Sequence, residues 1–148
     1  MKPEIPKVLE ILAGKLLFDV APHVSPAYRQ SSVGVSAMLL GIVREEWDRA
    51  AARRIEENAA LRALFRRAAP VVTDTDLRRR LEAAAASSDA SFLVSELERA
   101  NDALRALLIE LHAQVEQEPS ASARELEAAI WRELVASTER RKLAIAPF

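Results

Sequence analysis

Between Pro26 and Pro70 the chain carries no proline, and the run PAYRQSSVGVSAMLLGIVREEWDRAAARRIEENAALRALFRR reads as one very long helix. Ser25 and Pro26 are a helix start: a serine side chain can accept from an orphan N–H, and a proline at the first helical position gives up no hydrogen bond. Alanine, arginine, glutamate and leucine, all strong helix formers, fill most of the later half. At 1.5 Å per residue such a helix extends roughly 65 Å. A compact domain of 148 residues is only roughly 40 Å across. The helix therefore either breaks or packs its far end against another subunit.

The first third of this helix is rich in small residues: Ser31, Ser32, Gly34, Ser36, Ala37 and Gly41. Each mid-helix glycine costs about 1 kcal/mol relative to alanine. Gly34 and Gly41 lie one heptad apart, and close packing of another helix is the first account of them. A ligand lying over the two glycines is the sharper one. From Arg44 to Glu57 the helix turns polar, with Trp47 and Ile55 its only large apolar residues. The spacing makes Glu45–Arg49 and Arg53–Glu57 i,i+4 ion pairs on an exposed helix. The adjacent pairs Glu45–Glu46 and Glu56–Glu57 read as solvated surface. Apolar character returns at Leu61, Leu64 and Phe65. Two apolar ends and a polar waist suit a helix that serves two cores, or one that kinks, although no proline or glycine marks a kink.

Four further helices follow from periodicity. The first spans Pro6 to Val20, with Val8, Leu12, Leu16 and Val20 on one face. The third starts at Thr73, with Asp76 in the capping-box position and Val72 and Leu77 as a staple, and fades at Ser87. The fourth spans Asp89 to Glu116. Its residues Leu93, Leu97, Ala100, Leu104, Leu107 and Leu111 form a heptad seam with Asn101 on its border. The fifth spans Ser120 to Lys142 with Ala123, Leu126, Ile130 and Leu134 buried. The expected fold is all-α: one domain over residues 1–148, an up-down bundle of about five helices with a very long second helix. Helices one, two, four and five form the bundle and helix three crosses over.

The residue inventory excludes much chemistry. There is no cysteine, so no disulfide, thiol nucleophile or thiolate metal site. Balanced charge, 21 basic against 22 acidic residues, gives no footprint for nucleic acid. Neither His23 nor His112 follows a glutamate at the three-residue spacing of a carboxylate-bridged di-metal site. Two histidines are also too few for a His-rich zinc site. The three glycines form no phosphate loop and no nucleophile elbow. No metal or cofactor is expected, and His112 reads as structural. The arginine clusters at 53–54, 66–67, 78–80 and 140–141 read as solvated faces paired with acids. The most site-like cluster is His23, Tyr28, Arg29 and Ser32, at the N-terminus of the long helix where the dipole favours an anion. With Gly34 and Gly41 it makes the candidate ligand pocket. No targeting segment is visible, and the longest uncharged stretch, Gln30 to Val43, is too short to span a bilayer. A cytoplasmic chain with no membrane partner is expected.

Taken with the opening Pro3 to Val20 and the second helix with its small residues and VREEW, the ending ERRKLAIAPF resembles a family of small uncharacterised bacterial helical proteins. Its most recognisable feature is a C-terminal Lys-Leu-Ala-apolar run, then a proline and an aromatic; Lys142, Leu143, Ala144, Ile145, Pro147 and Phe148 are similar, with a shorter spacer. Genes of that family often sit beside acyl-CoA dehydrogenase and aminoglycoside-phosphotransferase-like kinase genes. The resemblance implies an accessory role near such metabolism, and no catalytic residues. The expected function is a non-catalytic accessory or interaction protein. The alternative is a small-molecule or acyl-chain binder with its pocket between helices one, two and four; an enzyme using His23, Tyr28 and Arg29 ranks last. The expected partners are a second copy of the chain and another protein. Trp47, Trp131 and Phe148 are the candidate interface residues, because they need cover.

Overall fold

A computed structural model describes residues 4–144. The fold is all-α, five helices with a very long second one and no strand among the described residues. The helices are α1 (Ile5–Gly14), α2 (Ala27–Ala68), α3 (Thr75–Ala86), α4 (Val94–Val115) and α5 (Ala121–Arg141). Helix α2 is uninterrupted over its 42 residues. The chain divides into two compact units, one of residues up to Ala50 with those from Lys142 on, the other of Ala51–Arg141. The waist of α2 marks the division: its apolar ends belong to two different units.

In the first unit α1 passes directly into a turn of π-helix, Lys15–Val20, and a 3-10 turn, Ala21–His23. The first turn of α2 bonds back to Pro26, whose carbonyl accepts from Arg29 N at 2.9 Å. Pro26 thus caps the helix from outside. An ion pair of 3.4 Å joins Glu10 of α1 to Arg44 of α2. Little is buried here. No residue of α1 is buried, and Ala21, Ala37 and Ala50 are the only buried residues among those described in this unit. The Val8–Leu12–Leu16–Val20 stripe was expected to be a core face. Instead Val8, Leu12 and Val20 are exposed, because nothing within this unit lies over them.

The second unit holds the core. Leu61, Leu64, Phe65 and Ala68 of α2 pack with Leu77, Leu81 and Ala85 of α3, with Leu104, Leu107, Leu108 and Leu111 of α4, and with Ala123, Leu126, Ala129 and Ile130 of α5. Helix α3 is therefore a full member of this core and not a crossover. Side-chain bonds give the directions. Arg66 reaches Ala85 and Arg62 reaches Ser87, so α2 and α3 are antiparallel. Arg80 pairs with Glu110 and Gln114 bonds Thr73, so α3 and α4 are antiparallel. Arg105 bonds Ser137 and Arg141 bonds Asn101, so α4 and α5 are antiparallel. The connections are short, as antiparallel neighbours require. The α3 cap is Asp74, one residue after the expected Thr73; its carboxylate accepts from Leu77 N at 2.7 Å. Ser120 caps α5 in the same way, accepting from Ala123 N at 3.1 Å. Helix α4 starts five residues later than the spacing predicts, and Leu93 is exposed.

Candidate functional site

The most constrained polar site lies where α2, α4 and α5 meet in the second unit. Its centre is Glu57, which is 1% exposed, beside Asn58 and Asn101, both fully buried. Arg141 grips the Glu57 carboxylate with both arms, Nε to Oε1 at 2.8 Å and Nη2 to Oε2 at 2.6 Å. Ser137 Oγ donates to Oε1 at 2.9 Å, and Asn101 Nδ2 to Oε2 at 3.3 Å. Asn101 Nδ2 also donates to Asn58 Oδ1 at 3.0 Å. Asn58 Nδ2 then donates to Asp89 Oδ1 at 3.0 Å and to the Leu97 carbonyl at 3.3 Å. Arg62 Nη2 closes the chain on Asp89 Oδ1 at 2.6 Å. One buried network thus ties α2, α4, α5 and the α3–α4 connection together.

The electrostatics follow from these bonds. Burial pushes the Glu57 carboxyl up, but the hydrogen bonds from Arg141 and Ser137 and the charges of Arg141 and Arg105 outweigh it and hold it below its ordinary value. Arg62 does the same for Asp89, against burial and with help from Asn58. Glu133 goes the other way: burial raises it, and Arg140 only partly opposes this. An ionised carboxylate has about four acceptor positions, and Glu57 uses four, on Arg141 twice, Ser137 and Asn101. It is held ionised and has no acceptor position left for a substrate, so it is not a general base; it braces three helices. The expectation that Glu56–Glu57 is solvated surface fails for Glu57. Arg141 is likewise no mere solvated arginine. Glu57 and Asn58 lie one turn before Leu61, on the core face of α2, and that register is the signal that could have found them.

The expected pocket cluster is spread over the start of α2. His23 is exposed at the end of the 3-10 turn. Tyr28 is exposed, with Arg29 Nε donating to its hydroxyl at 3.2 Å and the guanidinium 5.8 Å from its ring centre. Ser32 Oγ donates to the Tyr28 carbonyl at 3.1 Å, back along its own helix. Gly34 is half-buried, and a Cβ built there would meet nothing within 4 Å, so close packing inside the chain does not explain it. Gly41 is half-buried as well. A cleft of about 580 Å³ in this unit is lined by Lys7, Glu10, Arg44, Glu45, Asp48 and Arg49, with Ala144. Most of its lining side chains are charged. Ala144 N donates to both oxygens of Glu45, at 2.8 and 2.9 Å, which fixes the chain just beyond α5 on this unit.

Of the candidate interface residues, Trp47 is 59% and Trp131 52% exposed. Phe148 lies outside the described residues. Twelve of the eighteen exposed large apolar side chains among the described residues fall between Ile5 and Trp47. Four of them, Val35, Leu39, Val43 and Trp47, follow one another at spacings of four along α2. Among the described residues no helix is long and apolar enough to cross a membrane. Comparison with protein-family models, with curated proteins and with solved structures finds no match to this chain.

Proposed function

We propose that this chain is a non-catalytic accessory protein that works by association, beginning with a homodimer formed through α1 and the first half of α2. One observation carries this reading: the first unit buries three alanines and leaves twelve large apolar side chains in the open. At half exposure each such side chain leaves on the order of 80 Å² uncovered. Summed, the twelve expose on the order of 1,000 Å², against the roughly 800 Å² each partner buries in a stable interface. A second copy is the occupant with the matching chemistry, because two such pairs of apolar helices can bury one another as a four-helix bundle. The resemblance of the two termini and the second helix to bacterial proteins encoded beside acyl-CoA dehydrogenase and aminoglycoside-phosphotransferase-like kinase genes supplies the partner class for the assembled dimer.

Native mass spectrometry and light scattering of the full chain test the reading. The expected species is a dimer at twice 16.4 kDa. The double substitution Leu39→Glu with Val43→Glu is expected to give a helical monomer. A wild-type chain that stays monomeric at micromolar concentration overturns the proposal.

A further inference from the structure

A second cluster of side chains stands apart from the Glu57 network and from the exposed apolar residues of the first unit, at the α4–α5 connection. His112 and Glu116 are one turn apart, and the backbone bond from Glu116 N to the His112 carbonyl, 3.0 Å, keeps them on one face. Glu127 comes from the second turn of α5, and the ligand atoms of all three side chains lie within 4.8 Å of one another. His112 Nε2 is shut off from solvent and has no hydrogen-bond partner; the Glu116 carboxylate is 3.5 Å away. A buried ring nitrogen without a partner is costly unless something supplies one. The imidazole is also held in place, meeting Trp131 edge-on with ring centres 5.3 Å apart at 83°.

We propose that His112, Glu116 and Glu127 bind a first-row divalent cation of the zinc type. One imidazole and two carboxylates form a borderline donor set, suited to Zn²⁺, Co²⁺ or Mn²⁺ rather than to the all-oxygen preference of Mg²⁺ or Ca²⁺. Ligands about 2.1 Å from a tetrahedral zinc sit about 3.4 Å apart. The separation of His112 from Glu116, 3.5 Å, already meets that, and the Glu127 ligand atom lies within 4.8 Å of the other two. Three protein ligands leave one position for water or for an anionic group brought by a partner. A His-rich site was excluded by the histidine count; this mixed set needs only one histidine. The bound cation clips α4 to α5 across their connection. This proposal does not depend on the dimer.

The test uses tag-free full-length chain titrated with ZnCl₂ by calorimetry and with CoCl₂ by absorption and tryptophan fluorescence. The expected result is one Zn²⁺ per chain with Kd below about 10 µM, a raised thermal midpoint, and quenching of Trp131 by Co²⁺. His112→Gln and Glu127→Gln are each expected to weaken binding by about tenfold or more. Trp131→Phe is expected to abolish the quenching while leaving Zn²⁺ uptake in place. If His112→Gln does not fold, Glu116→Gln, on an exposed side chain, gives the same reading. No uptake at millimolar Zn²⁺, binding unchanged in these variants, or binding lost in His23→Gln overturns the proposal.

Discussion

Replacing Glu57 by glutamine keeps the shape of the side chain and removes its charge, so it isolates what the brace contributes. Four donors converge on this carboxylate, two from Arg141 and one each from Ser137 and Asn101. Glutamine offers one acceptor oxygen and presents an NH₂ to groups that are themselves donors. Breaking a buried pair costs about 3–5 kcal/mol when the remaining charge is left without compensation. Here the Arg141 side chain is 43% exposed, so its guanidinium can turn to water and the cost falls below that range. Ser137 and Asn101 cannot, and losing a charged acceptor costs about 1 kcal/mol for each. The expected loss for Glu57→Gln is therefore about 3 kcal/mol, a fall of about 6–12 °C in thermal midpoint for a chain of this length. Arg141→Met is the more severe change, about 3–5 kcal/mol, because it strands the carboxylate, whose side chain is only 2% exposed. In the Glu57→Met, Arg141→Met double variant the loss is expected to be smaller than the sum of the single ones.

Acid supplies the control. The Glu57 carboxyl is held below its ordinary value of 4.5 in the folded chain, so the folded state binds fewer protons than the unfolded one. Its contribution is complete above pH 4.5 and is lost as the pH falls through the folded-state value. Asp89, also held low, behaves alike. Glu133 has the opposite sign: its raised value makes its contribution fall as the pH rises through 4.5 toward the folded-state value. Urea melts of wild type and Glu57→Gln, followed by far-UV circular dichroism from pH 7 to pH 3, should show the gap between the two curves closing below pH 4.5. A gap that is independent of pH, or a loss under about 1 kcal/mol for Arg141→Met, refutes the account of Glu57 as an ionised brace.

Other substitutions probe single steps of the same physics. Leu111 is fully buried at the centre of the α4 seam, and Leu111→Ala is expected to cost about 2–5 kcal/mol in a denaturant melt. Asp74→Ala removes the α3 cap and is expected to cost about 1 kcal/mol. In the Leu39→Glu, Val43→Glu background, Gly34→Ala is expected to raise the thermal midpoint, since its Cβ meets nothing within 4 Å and only helix propensity acts; a lower midpoint would mean that Gly34 is packed after all.

Much of the second unit is legible in the sequence because its signals are local and mutually consistent. The α4 leucines from Leu97 on and the α5 stripe follow from periodicity, the α2–α3 and α4–α5 connections from punctuation, and the structure places Leu97, Leu104, Leu107 and Leu111 in the interior as that spacing requires. What misleads is the first unit. Val8, Leu12 and Val20 have the spacing of a core face and are exposed, because periodicity reports that a face needs cover and not which chain supplies it. The same spacing therefore reads as a core stripe in α4 and as an open face in α1.

The buried network is not legible along one helix for a related reason. The i,i+4 rule pairs Glu57 with Arg53 one turn earlier, since such charges are what a single helix displays. Its actual partner is Arg141, 84 residues away, and no local rule reaches that far. Register does reach it. Carrying the core face of α2 back one turn from Leu61 arrives at Glu57 and Asn58. The α4 seam between Leu97 and Leu104 encloses Asn101, and the α5 stripe carried forward from Ile130 arrives at Ser137 and Arg141. Three seams that each turn polar at the same end of one up-down bundle must bury those groups against each other, and buried polar groups persist only when their partners are present. Charge pairing is thus better judged after the apolar register of every helix has been extended through its polar ends than from neighbours along one helix.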